Sequence, residues 1–208
     1  MALNAQTFSP ACQQVFDEVT ADFPVELAQC EVTVAGYTLE ACPQPEELIA
    51  SRPTSHLILA IDASGSMAGK VGGETKMAIA KREALAFLST LPKEMSVGLA
   101  VYGHKGNNSQ SGRTESCASS EMVHGFEAKR QELANSINTL KPTGWTPLGG
   151  MLTYAGTVVA TLPPAKEDDV LAPVVYLISD GEETCGGDPV ASAAALFAAG
   201  VQTTVNTI

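Results

Sequence analysis

Asp62, Ser64 and Ser66 stand on alternate residues directly after the apolar run Leu57–Ile61, in the stretch LILAIDASGSMAGK. Asp180 follows a second apolar run, VVYLIS, and Thr143 and Thr146 lie between the two in the loop KPTGWTPLGG. These side chains offer oxygen alone, two carboxylates and several hydroxyls, with no imidazole and no thiolate. Hard divalent cations take such ligands, and Mg²⁺ among them keeps several waters. Alternation in a tight turn aims Asp62, Ser64 and Ser66 at one point, and Gly65 lets the backbone pass close. Hydroxyls supply oxygen without charge, so an ion held there stays electropositive and can accept a carboxylate from another molecule. Four acids would hold the metal more tightly and offer a partner less.

The same residues also suit plainer work. Asp or Ser after a strand caps the next helix. Thr146 before Pro147 fits an N-cap with proline in the first helical turn, and Asp180–Gly181 fits a turn. Glu182, Glu183 and Asp188 read as a solvated acidic rim. His104 reads as structural or exposed, and Trp145 either contacts a partner or packs under its loop.

For the oxygen donors to meet, their strands must end at one edge. From residue 55 strands and helices alternate. The buried-strand runs are Leu57–Ile61, Ser96–Tyr102 and Pro173–Ser179, with a short edge strand at Ser120–His124 and a last strand at Val201–Ile208. Helical spacing spans Glu74–Leu91, closed by Pro92, then Glu127–Leu140, about 150–161, and Val190–Ala199, closed by Gly200. Residues 104–119 are polar and rich in Gly and Ser, a loop. Such alternation predicts an α/β fold, a doubly wound, mostly parallel central sheet with helices on both faces. Ligands gather at the carboxyl ends of the strands in such sheets, where Asp62 and Asp180 stand.

Enzyme signatures fail on spacing. In GSMAGKV the interval from Gly65 to Gly69 is one residue short of a phosphate loop, and Val71 replaces the hydroxyl that would hold Mg²⁺. No G-x-S-x-G elbow surrounds Ser64, and nothing gives a Ser64–His104–Asp180 triad its geometry. Twelve Lys and Arg against 23 Asp and Glu give a net charge of −11, and no basic cluster is present, so nucleic acid is an unsuitable partner. No apolar run approaches the roughly 20 residues that cross a bilayer.

Residues 1–52 form an N-terminal extension with Cys30, Cys42 and a proline tract. Within it ACQQVFDEVTADF reads as a short helix and CEVTVAGYTL as a strand. Residues 53–208 form the domain. The first residues lack the basic start and apolar core of a signal peptide, which fits either a chain not meant for export or, the reading the cysteines favour, an exported chain whose signal is removed. The five cysteines, Cys12, Cys30, Cys42, Cys117 and Cys185, contain no C-x-x-C pair; disulfides in an oxidising compartment are expected, against free thiols in a cytosolic protein.

DASGS at 62–66, TGWTP at 143–147 and SDGEETCGGDP at 179–189 together resemble the von Willebrand factor A domain, and more closely its bacterial exported branch. GETKMAIAK at 73–81 and VYGH at 101–104 resemble that branch too, and the resemblance covers about 55–208. It implies a metal-ion-dependent adhesion site built from Asp62, Ser64, Ser66, Thr146 and Asp180, the last often acting through water. It implies a divalent cation, Mg²⁺ first with Ca²⁺ or Mn²⁺ as alternatives. The implied partner is a protein presenting Asp or Glu, met outside the cytoplasm in the periplasm or at the cell surface. The branch also places cysteines where Cys117 and Cys185 stand, implying a disulfide beside the site, with Cys30–Cys42 as a local pair. The family core runs on past TTVNTI with a further helix and strand, so the domain is expected to lack its last elements. The alternatives are a scaffold module of a surface or secretion assembly whose metal only stabilises the fold, and a cytosolic accessory subunit of an AAA+ or chelatase-type machine.

Overall fold

The run Leu57–Ile61 lies at the centre of the sheet and is shielded on both faces. In the computed structural model, which describes residues 56–163 and 172–208, it forms β1, His56–Asp62. After a single 3₁₀ turn at Gly65–Ala68 come two short strands, β2 (Lys70–Val71) and β3 (Glu74–Thr75), paired antiparallel around a Gly72–Gly73 turn with φ of 59° and 91°. Then follow α1 (Lys76–Thr90), β4 (Ser96–Tyr102), a 3₁₀ turn at Gln110–Gly112, α2 (Arg113–Cys117) and β5 (Glu121–His124). The remaining elements are α3 (Arg130–Thr139), α4 (Leu148–Val159), β6 (Val174–Ser179), α5 (Pro189–Ala198) and β7 (Gln202–Thr207).

Among the described residues the main sheet runs β5-β4-β1-β6-β7, and of these strands only β5, at an edge, is antiparallel. β1 feeds both core layers because strand side chains alternate faces. Leu57, Leu59 and Ile61 pack with Met77, Ala80, Ala84 and Leu88 of α1 and with Leu133 and Ile137 of α3. Ile58 and Ala60 pack with Met151, Leu152 and Ala155 of α4 and Leu196 of α5. Each fully buried Leu or Ile contributes about 1.5–3 kcal/mol, so β1 anchors both faces.

The chain leaves β1 for α1 on one face and leaves β6 for α5 on the other. β1 and β6 are neighbours, so their carboxyl ends border a crevice where the connections diverge. This is the topological switch point at which open α/β sheets bind ligands.

Three expectations are corrected. Helical structure begins at Lys76 and not Glu74, because the Gly72–Gly73 turn folds Glu74 and Thr75 back into the hairpin. The polar stretch 104–119 holds a 3₁₀ turn and the short α2. α3 starts at Arg130, where the Glu132 carboxylate accepts from the Lys129 backbone N–H at 3.0 Å. The helix and strand expected within residues 1–52, with Cys30 and Cys42, lie outside the described residues. No described helix is long and apolar enough to cross a membrane.

Candidate metal centre

Asp62 ends β1 with its side chain buried. Its Oδ1 accepts the Ser64 N–H at 2.8 Å, and its Oδ2 accepts the Ser179 hydroxyl at 2.6 Å. Burial pushes the Asp62 carboxyl up; the Ser179 and Ser64 hydrogen bonds pull it partly back, and Asp180 nearby pushes it up again. The Tyr102 hydroxyl, buried beside Asp62 and Ser179, has no hydrogen-bond partner among the described residues. Burial and the Asp62 charge hold it well above the ordinary tyrosine value.

Ser64 begins the 3₁₀ turn without capping it, and its hydroxyl meets that of Ser66 at 3.0 Å. Ser66 donates to Asp180 Oδ1 at 2.8 Å, which carries the chain of contacts from β1 to β6. The loop holding Thr146 is joined to the same turn through backbone bonds. Gly65 N–H donates to Gly144 at 2.7 Å, Thr143 N–H to Ala63 at 2.8 Å, and Gly144 N–H to Gly103 at 2.8 Å. Thr146 is buried, and Pro147, not Thr146, occupies the N-cap of α4. Thr143 donates its hydroxyl to Lys141 in its own loop, so Thr146 is the threonine that faces the crevice. A Cβ placed on Gly181 would lie 3.6 Å from Ser66 Oγ and 4.0 Å from Thr146 Oγ1, so glycine there leaves a cradle between the two hydroxyls open.

The oxygen set fits a hard cation, with two carboxylates, three hydroxyls, an open cradle and an unsatisfied buried hydroxyl behind it. Among the described residues no three His, Cys, Asp or Glu side chains gather at one point, so the centre is hydroxyl-rich. One feature escapes the sequence reading. Lys76 donates its ammonium to Asp180 Oδ2 at 2.7 Å.

The surrounding loops are pinned. Cys117 and Cys185 form a disulfide across 68 residues of sequence. Thr146 N–H donates to Thr184 Oγ1 at 2.7 Å and Thr184 N–H to the Thr146 carbonyl at 3.1 Å. Arg113 donates to the Thr184 carbonyl at 3.0 Å and stacks over Trp145, 4.9 Å from the ring centroid. Trp145 is half-buried and donates Nε1–H to the Ser109 carbonyl at 3.0 Å, so it packs within the rim. His104 bonds Glu121 at 2.8 Å, a structural role.

The acidic rim is corrected. Glu183 accepts Gly149 N–H at 2.7 Å at the start of α4 and Cys185 N–H at 2.6 Å. Asp188 caps α5 by accepting Ala191 N–H at 2.9 Å. Glu182 and Asp188 stay exposed, and Glu183 alone of the three is half-buried. Beside the Asp62 turn, Asn107–Ser111 repeats its form. Asn107 Oδ1 accepts Ser109 N–H at 2.9 Å, and Ser109 and Ser111 hydroxyls meet at 2.9 Å before another 3₁₀ turn. The spacing N-x-S-x-S was the signal for it.

The chain is 38% identical over 176 residues to the uncharacterized protein YwmD of Bacillus subtilis, covering 84% of this chain and 76% of that one. It is 42% identical over 148 residues to the uncharacterized protein YwmC of the same organism, covering 71% of this chain and 63% of YwmC, under two thirds of that relative's length. Its fold is similar to that of manganese-loaded Plasmodium vivax TRAP protein, with a TM-score of 0.52 at 15% identity over 74% of this chain and 57% of that one. The family profile of the von Willebrand factor type A domain matches residues 57–183, from β1 through the loop after Asp180. The chain belongs to the von Willebrand factor type A domain family.

Proposed function

We propose that this chain is a protein-interaction module that holds a divalent cation at the β1–β6 switch point. Asp62, Ser64, Ser66 and Thr146 hold the ion, directly or through water, and Asp180 orients it. The bound ion supplies an electropositive point for a carboxylate, and an Asp or Glu of a partner protein meets it there. Mg²⁺ is the first candidate, with Ca²⁺ and Mn²⁺ next. No catalytic role is assigned to any residue.

The observation that carries this reading is the meeting of three distant segments in one oxygen-lined cradle, kept open by Gly181. The Cys117–Cys185 disulfide supports an oxidising, extracytoplasmic setting. The test is thermal stability in EDTA, Mg²⁺, Ca²⁺ and Mn²⁺, under non-reducing conditions, for the wild type and Asp62→Ala. A metal-induced rise confined to the wild type is expected. No rise in either protein ends the reading.

A second reading has one observation in its favour. Lys76 already gives Asp180 a positive partner, which suits a scaffold module whose partner binding does not pass through the ion and whose metal only stabilises the fold. Partner binding that survives both EDTA and Asp62→Ala would favour it.

A further inference from the structure

Among the described residues, Lys76 is the one cationic side chain bonded to a candidate ligand. Its position is unusual on electrostatic grounds. It is the first residue of α1, where the positive end of the helix dipole disfavours a cation, and the first turn of α1 contains no acid to offset it. Thr75 already caps the helix by accepting Ala78 N–H at 3.2 Å, so the helix start does not require the lysine. The backbone is fixed there by the β2–β3 hairpin and by Lys76 N–H donating to the Gly69 carbonyl at 2.8 Å. The stem passes Gly69 and delivers the ammonium to Asp180, whose side chain has no exposed surface, while that of Lys76 is 25% exposed.

Asp180 therefore spends one oxygen on Ser66 and the other on Lys76. A buried carboxylate without a counter-charge is costly, and an ammonium beside a divalent ion is repelled by it. One carboxylate cannot serve both cations in this arrangement without opposing charges of like sign.

Resting on the metal-centre reading above, we propose that Lys76 is the built-in counter-ion of the site. Its ammonium neutralises Asp180 in the ion-free protein, and Asp180 exchanges Lys76 for the divalent ion on loading. Lys76 keeps the empty crevice folded and weakens ion affinity, so that uptake is a replacement of one cation by another. Lys76 is then the residue that sets the ion concentration at which the module becomes competent.

The test uses the full chain under non-reducing conditions, as wild type, Lys76→Met and Lys76→Gln. Mg²⁺ and Mn²⁺ affinities are measured by calorimetry, and melting temperature in EDTA by differential scanning. Both variants are expected to bind about tenfold or more tightly, about 1.4 kcal/mol, and to melt lower in EDTA. Independently of any variant, Lys76 in the wild type is expected to react several-fold faster with a lysine-acylating reagent in Mg²⁺ than in EDTA, read by mass spectrometry. Variants that bind the ion while the wild type does not support the exchange in its strongest form. Equal or weaker binding in both variants overturns it, as does unchanged Lys76 labelling in a wild type that binds Mg²⁺. No ion bound by any of the three overturns the metal-centre reading itself and the exchange with it.

Discussion

Replacing both Cys117 and Cys185 by serine removes a cross-link that spans 68 residues. Loop-closure entropy for a span of that size puts the effect at about 4 kcal/mol at 25 °C, acting chiefly by enlarging the unfolded ensemble. The folded loops have other restraints. Thr146 and Thr184 exchange two hydrogen bonds of 2.7 and 3.1 Å, and Arg113 holds the Thr184 carbonyl at 3.0 Å. The double variant should therefore keep its native site and lose stability. Urea denaturation should give a loss of about 3–4 kcal/mol with a steeper slope, because a chain without the link exposes more surface on unfolding. Ion affinity should move by less than roughly threefold, under about 0.7 kcal/mol. A stability loss below about 1 kcal/mol, with the slope unchanged, would refute the entropic account. A large loss of ion affinity with little loss of stability would refute the claim that the loops hold without the bridge.

Three further outcomes are expected. Asp62→Asn should melt higher than the wild type in EDTA at neutral pH. Burial raises the Asp62 carboxyl, so its contribution is fully present below its ordinary 3.8 and is lost as pH rises through its raised value; the gain should shrink as pH falls toward 3.8, and a lower melting point at neutral pH would mean that the Ser64 and Ser179 bonds outweigh burial. Gly103→Ala should cost about 2–4 kcal/mol in urea denaturation, because Gly103 has φ of 69° and its Cβ would stand 2.6 Å from the Trp145 carbonyl and 3.1 Å from Ser64 N. Glu183→Ala should cost about 1–2 kcal/mol by the same assay, since it frees the backbone N–H groups of Gly149 and Cys185.

The strands were readable where burial on both faces forces a continuous apolar run, as in Leu57–Ile61 and Ser96–Tyr102. Helix ends were readable where chemistry stops a helix. Pro92 disfavours the helical conformation at Leu91, and α1 ends at Thr90. The β2–β3 hairpin was missed because two-residue strands carry no hydrophobic period; the Gly72–Gly73 pair was its only mark. α2 was missed because five residues in a polar stretch bury too little to leave a pattern. The candidate ligands were legible because their spacing is local within each segment and the fold class says which strand ends converge. Glu183 and Lys76 were not, since a side chain that crosses to a distant segment leaves no trace in its own neighbourhood. For Lys76 there was a faint signal, a lysine opening a helix whose first turn holds no acid.

The two adjoining turns, Asp62–Ser66 and Asn107–Ser111, amount to a matched pair within one molecule. Both use a side-chain oxygen to hold the N–H two residues on, both bring two serine hydroxyls within 3.0 Å, and both lead into a 3₁₀ turn. At the first position they differ by the exchange of one carboxylate oxygen for an amide nitrogen, and at the second and fourth Asn108 and Gln110 stand where the other turn has Ala63 and Gly65. For anyone wishing to transplant the proposed centre, the chain already contains a turn of the same hydrogen-bonded form without the acid. The backbone shape can be bought with an asparagine, so a graft that copies shape alone reproduces Asn107–Ser111. Charge at the first position and the arrival of Thr146 and Asp180 from elsewhere are the parts a recipient scaffold must supply.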